Sequence, residues 1–156
     1  LRHPKAAAHV SQFASGGFEL VMDDPIASER PDDVRRVFAC SGKVYYDLLA
    51  EREKRLGERQ HEIAIVRLAQ LYPWPELQLQ AIFDRYGSAR SWTWVQEEPL
   101  NMGPWTFVRE RLRALLADKA PLEHAGRPEA ASPAAGSGRV HKAQLDQLLE
   151  DAFGED

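Results

Sequence analysis

A chain of 156 residues with 44% hydrophobic content is long enough to bury a sizeable core, and its size suits one globular domain. Its formal net charge of -4, with bases set among acids as in Glu51-Arg52-Glu53-Lys54-Arg55, excludes a broad nucleic-acid-binding face and reads as solvated surface. The single cysteine, Cys40, excludes a disulfide framework, and no apolar run approaches the roughly 20 residues of a membrane span, so a reducing, cytoplasmic setting is expected.

Residues 1–33 carry little periodicity and are broken by Gly16-Gly17, Asp23-Asp24-Pro25 and Arg30-Pro31, so they read as a lead-in or linker from a preceding domain, with one short strand at Phe18 to Met22. From residue 34 to 156 the pattern is that of an α/β domain. Val34 to Cys40 reads as a strand, and Val44 to Leu56 as a helix with Val44, Tyr45, Leu48, Leu49 and Leu56 on its apolar side. Ile63 to Arg67 is a compact aliphatic strand, followed by a helical stripe of Leu79, Ile82, Phe83 and Tyr86. Trp92 to Gln96 is rich in strand formers, and Trp105, Val108, Leu112, Leu115 and Leu116 repeat the stripe behind Pro104, a residue suited to a first helical turn. Leu122 to Ala125 is the last strand, a Gly/Pro/Ser/Ala loop covers 126–139, and Leu145, Leu148, Leu149, Ala152 and Phe153 mark a terminal helix. Such alternation predicts a three-layer αβα sandwich with a mostly parallel sheet, whose ligand positions lie at the carboxyl ends of the strands.

Several motifs fall at those ends. Ser41-Gly42-Lys43 stands where a strand turns into a helix and its N–H groups face outward, but no glycine precedes Ser41 at the spacing of a phosphate-binding loop. Glu97 and Glu98 are adjacent and on a strand would point to opposite faces, so they cannot serve one substrate as paired acid and base. The preferred reading is that these acids organise the loop around Asn101 and the helix start at Trp105. His3, His9, His61, His124 and His141 lack metal-site spacing. Tyr72-Pro73-Trp74-Pro75 is a proline-locked aromatic turn between core elements and is expected to be packed inside.

Two segments, Cys40-Ser41-Gly42-Lys43-Val44-Tyr45-Tyr46-Asp47-Leu48 and Gln96-Glu97-Glu98-Pro99-Leu100-Asn101-Met102-Gly103-Pro104-Trp105, closely resemble the C-terminal domain of the E1 components of 2-oxoglutarate dehydrogenases. Ala64-Ile65-Val66-Arg67, Gln70 to Pro75 and Ala125-Gly126-Arg127-Pro128 extend the resemblance in the same order, while Ala69, Met102 and Pro104 stand where the family commonly carries Glu, Gln and Ala. The resemblance implies a transketolase C-terminal-like fold of about five strands that packs on preceding domains of the E1 chain and helps build a homodimer. It also implies an intact enzyme that decarboxylates 2-oxoglutarate with thiamine diphosphate and Mg²⁺ and passes the succinyl unit to a lipoyl-bearing E2 acyltransferase. The Gly-Asp-Gly diphosphate motif of the family does not occur here, so this segment alone is expected to bind no cofactor or metal and to hold no catalytic residue. Some members of the family are tuned by effectors near this domain, which makes Arg2, Lys5, Ser41 and Lys43 candidates for effector binding. Gln96, Glu97, Glu98, Asn101 and Trp105 are candidates for an assembly interface, with Trp105 as its apolar anchor. The alternatives are the same domain of a 2-oxoadipate dehydrogenase E1 and a free-standing module that binds a nucleotide or acyl-CoA.

Overall fold

The computed structural model describes residue 14, residues 17–117 and residues 119–154. Its centre is a five-stranded sheet in the order β1-β3-β2-β4-β5, formed by β1 (Val21–Met22), β2 (Arg36–Cys40), β3 (Ile63–Leu68), β4 (Ser91–Pro99) and β5 (Leu122–Arg127). The pairs β2–β3, β2–β4 and β4–β5 are parallel, and only the short edge strand β1 runs antiparallel, against β3. Crossovers between parallel strands place helices on the faces of the sheet, and among the described residues four cover them: α1 (Val44–Leu56), α2 (Glu76–Arg85), α3 (Trp105–Leu116) and α4 (Gly138–Phe153).

Strand alternation decides which helix covers which face. Val37, Ala39, Ala64, Val66, Trp92 and Trp94 point to one side, where Leu79, Ile82 and Phe83 of α2 and Trp105, Val108 and Leu112 of α3 close over them. Phe38, Cys40, Ile63, Ile65, Val95 and Ala125 point to the other, under Tyr45 and Leu48 of α1 and Leu148, Leu149 and Phe153 of α4. Phe38 and Phe153 meet edge to face at 4.9 Å, the geometry favoured by the ring quadrupoles. The predicted three-layer αβα sandwich is therefore the observed one, with a mostly parallel five-stranded sheet.

The described part of the lead-in packs into this domain. Asp24 and Ala27 are fully buried. One oxygen of the Asp24 carboxylate accepts the N–H groups of Ile26 and Ala27 at 2.9 and 3.0 Å, and the other accepts the Ile65 N–H at 2.9 Å and the Arg52 guanidinium. Arg52, 1% exposed, also donates to the Ile63 carbonyl at 2.8 Å. This corrects the reading of the 51–55 charge run as solvated surface: Arg52 lies on the inner side of α1 and holds the lead-in against β3. A second tie joins the exposed side of the lead-in to α2, where Asp23 receives the Tyr86 hydroxyl at 2.6 Å and pairs with Arg85.

Candidate functional site

The crossover after β2 leads to β3 on one side of it, and the chain then returns to place β4 on the other side. Neighbouring strands whose connections diverge leave a crevice at their carboxyl ends, the position where sheets of this kind receive ligands. Here the crevice is bounded by Ser41-Gly42-Lys43 after β2 and by Gln96-Glu97 near the end of β4. Gly42 takes a left-handed φ of 77°, which an L side chain rarely adopts, and this turns the strand directly into α1.

Glu97 is the centre of the charges gathered at the crevice. Lys43 Nζ lies 3.6 Å from one carboxylate oxygen, while Arg127 Nη2 and His141 Nε2 lie 3.5 and 3.8 Å from the other. Lys43 also donates to Asp47, one turn along α1, at 2.6 Å. Burial lowers the Lys43 pKa, but the hydrogen bond and charge of Asp47, joined by Glu97, outweigh it and leave the ammonium above its ordinary value. Arg127 is 4% exposed and places Nη2 2.9 Å from His141 Nδ1. A guanidinium can only donate, so Nδ1 accepts and the ring carries its proton on Nε2, toward Glu97.

Beside this group Arg67 reaches the Tyr46 hydroxyl at 3.2 Å and lies over the rings of Tyr45 and Tyr46. The Nε atoms of Arg67 and Arg127 are buried without a hydrogen-bond partner. Cys40, beneath the same strand ends, is fully buried; desolvation, only partly offset by the Arg67 charge, pushes its thiol up to about 12. A thiol held that far from ionisation is no nucleophile. Among the described residues no three His, Cys, Asp or Glu side chains gather as a metal ligand set. The crevice pairs the carboxylates of Glu97 and Asp47 with the Lys43 ammonium and the Arg127 guanidinium, so its carboxylates are already engaged by fixed cations and these residues do not fit a Mg²⁺-diphosphate site. The arrangement suits recognition of charge rather than bond making.

The other predicted site residues are placed as follows. Arg2 and Lys5 lie outside the described residues. Ser41 and Lys43 stand together at the crevice with Glu97, and Glu98 is exposed. Arg127 and His141 were not among the predicted site residues, although Gly126-Arg127 was expected at a strand end; their meeting depends on the 126–139 loop folding back, which no local pattern announces.

Gln96 is buried and works inside the chain. Its amide oxygen accepts the Trp94 indole N–H and the Trp105 backbone N–H, both at 3.0 Å, and its nitrogen donates to the carbonyls of Met102 and Pro99 at 2.8 and 3.1 Å. The amide of Gln96, rather than the acids that follow it, thus organises the loop and the start of α3. Four steps along β4, from Val95 to Pro99, match only two along β5, from Ala125 to Arg127, and this bulge gives the segment room to turn its polar groups inward. Asn101 exchanges two hydrogen bonds with the Ala130 backbone, at 3.0 and 3.1 Å, joining this loop to the 128–137 segment. Trp105, expected to anchor an interface, is 8% exposed within the chain and packs its ring 4.8 Å from that of His124. Its stripe position on α3 turns it onto the sheet.

Two measurements probe this packing. A Cβ added at Gly103 would lie 2.9 Å from Glu98 Cβ and 3.2 Å from Gln96 Nε2, at a φ of 69°. Gly103→Ala is expected to cost about 1–3 kcal/mol in urea unfolding, from left-handed strain and displacement of the Gln96 amide. His124 has a buried Nε2 without a partner, and burial lowers its pKa below the ordinary 6.5. The unfolded chain therefore binds the proton more readily, so the stability held by this group is fully present above about pH 6.5 and is lost as pH falls through the folded value. Replacing His124 with Asn should flatten the decline of the unfolding midpoint between about pH 7 and pH 5; an unchanged slope would remove His124 as its cause.

Comparison with known proteins agrees with this fold and these motifs. The family described as 2-oxoglutarate dehydrogenase C-terminal matches residues 7–153. The chain is 41% identical over 153 residues to the 2-oxoglutarate dehydrogenase E1 component of Haemophilus influenzae, and 40% identical over 156 residues to that of Azotobacter vinelandii, covering 98% of this chain and 16% of the relative each time. It is 38% identical to a probable 2-oxoadipate dehydrogenase complex component E1 homolog of Dictyostelium discoideum, over 98% of this chain and 17% of that protein. The chain thus spans about one sixth of the length of these relatives. With its motifs in order and its sheet covered on both faces, the chain belongs to the 2-oxoglutarate dehydrogenase E1 family as a C-terminal domain.

Proposed function

We propose that this chain is the C-terminal domain of a cytoplasmic enzyme that decarboxylates 2-oxoglutarate and transfers the succinyl unit to the lipoyl group of an E2 acyltransferase. The observation that carries the reading is identity of 35–41% along essentially the whole chain to 2-oxoglutarate dehydrogenase E1 components. In the intact protein thiamine diphosphate and Mg²⁺ supply the carbanion chemistry from upstream domains. The present residues serve as scaffold and as part of a homodimer. The crevice at Ser41 and Lys43, with Arg127 and His141 beside it, takes an anionic effector, for which Glu97 must give way.

The test is made on the full-length protein supplied with thiamine diphosphate and Mg²⁺, by following reduction of an artificial electron acceptor with 2-oxoglutarate or 2-oxoadipate as substrate. A higher kcat/KM for 2-oxoglutarate supports the reading. A higher value for 2-oxoadipate transfers the assignment to the second activity, which the relative from Dictyostelium discoideum favours. Inactivity toward both would end it. For the effector, calorimetric titration of the same protein with acetyl-CoA and with AMP should give binding that Lys43→Ala weakens; binding unaffected by that change would move the site elsewhere.

A further inference from the structure

The most exposed large apolar side chains among the described residues are Leu77, Tyr72 and Phe18, at 83%, 80% and 72% exposure. They are not scattered. The antiparallel pairing Val21↔Leu68 and Met22↔Arg67 ends in the bonds from the Ala69 and Gln70 N–H groups to the Leu20 carbonyl, so Phe18, two residues before Leu20, and Tyr72, two residues after Gln70, leave the strand pair at the same end. Leu77 follows in the first turn of α2. The three therefore share the carboxyl end of β3, at the edge of the sheet that holds β1. The expectation that the Tyr72-Pro73-Trp74-Pro75 turn is packed inside holds for the buried Pro75 and the half-buried Trp74, which meets Phe107 edge to face at 6.2 Å, while Tyr72 and Pro73 are exposed.

The surface is also rigid. Gln70 Nε2 donates to the Pro73 carbonyl at 2.9 Å, Trp74 anchors the turn beneath, and Pro73 and Pro75 restrict the backbone. A preformed apolar knob loses little conformational freedom on contact, and tyrosine is enriched among residues that dominate binding. Large exposed apolar side chains gathered at one end of a sheet, two of them carried on a braced turn and a helix, mark an interaction surface.

We propose that Phe18, Tyr72 and Leu77 form the docking surface for the upstream domains of the same polypeptide, an inference that rests on reading this chain as the C-terminal domain of a longer E1. Those domains would present an apolar surface with a polar acceptor for the Tyr72 hydroxyl. The relatives carry about five sixths of their length outside the matched region, and Phe18 lies on the segment that leads in from that direction. Attachment through one backbone makes this contact intramolecular and raises its effective concentration. A second copy of this domain is the poorer occupant, because the neighbouring edge strand β1 has only two residues and offers little backbone for pairing across copies.

The experiment replaces Leu77 with p-benzoylphenylalanine in the full-length protein, irradiates it, and maps the cross-linked peptides. Arg59, exposed at the opposite end of the sheet, receives the same probe as control. Cross-links from position 77 to upstream peptides of the same subunit, identified in dimers of mixed isotopic label and well above those from position 59, are expected, and upstream cross-links found only between subunits would overturn the proposal. Adding Phe18→Asp with Tyr72→Asp should cut their yield about tenfold, the scale of one strong anchor. Cross-links confined to this domain in another copy, cross-links to the E2 partner, or none above control would overturn the proposal. The mapping with Phe18 and Tyr72 intact decides the matter even if the double variant folds poorly. Turnover of 2-oxoglutarate is assayed on the same sample: inactivity with upstream cross-links defeats the functional reading alone, and activity without them defeats the docking surface alone.

Discussion

Asp24→Ala is expected to cost about 3–5 kcal/mol of folding stability, because it leaves the Arg52 guanidinium buried without its carboxylate. Arg52 is 1% exposed and keeps only the Ile63 carbonyl, while the N–H groups of Ile26, Ala27 and Ile65 lose their acceptor. Set against the roughly 5–15 kcal/mol that holds most domains together, this brings the chain close to unfolding. Arg52→Met should cost less, since its thioether fills part of the space and the orphaned Asp24 carboxylate still accepts backbone N–H groups. Urea unfolding of the two variants and of the double variant Asp24→Ala with Arg52→Met measures the coupling. A loss below about 1 kcal/mol for Asp24→Ala would mean that water reaches the pair and that the lead-in is not held by it.

Trp105→Ala should also lower the stability of the chain by about 3–5 kcal/mol, the scale of an aromatic ring removed from a packed core. The ring lies against His124 over the sheet, in the cluster that contains Trp94, Val108 and Leu112. Its backbone N–H, held by Gln96, is retained in the variant, so the cavity accounts for most of the expected loss. Trp105→Phe keeps most of the volume and should lose less. Near-native stability of Trp105→Ala, measured by urea unfolding with circular dichroism, would restore the expectation that this residue serves an interface instead of the core.

The layers were legible because periodicity and punctuation agree. The expected strand Ile63 to Arg67 is observed as Ile63–Leu68, and the expected helix Val44 to Leu56 is observed with those bounds. Each has its apolar face written in consecutive residues, and each parallel crossover repeats the same grammar. The links between distant segments were harder to read. Asp23-Asp24-Pro25 looks like a turn and Arg52 sits in a run of charges; only the fold shows that a carboxylate and a guanidinium 28 positions apart share one buried space. The candidate site was half legible. Ser41, Lys43 and Glu97 stand at strand ends that alternation alone locates, whereas Arg127 and His141 are brought to Glu97 by a loop whose composition carries no register. Gln96 and Trp105 were expected at an assembly interface because a polar-rich loop with a tryptophan resembles a contact surface. A buried amide that saturates its own hydrogen bonds leaves no periodic trace.

Cys40 gives the molecule its own clock. It is the one thiol in the sequence, it lies under the carboxyl ends of the strands with no solvent exposure, and its proton is held well above the neutral range. An alkylating reagent meets a reactive thiolate only while β2 is uncovered, because opening both admits the reagent and returns the sulfur to its ordinary acidity. The rate of thiol capture under native conditions therefore counts openings of the central sheet, without an introduced label. Read at the Cys40 peptide and compared between the isolated segment and the intact chain, that count measures how firmly the rest of the protein clamps this domain shut.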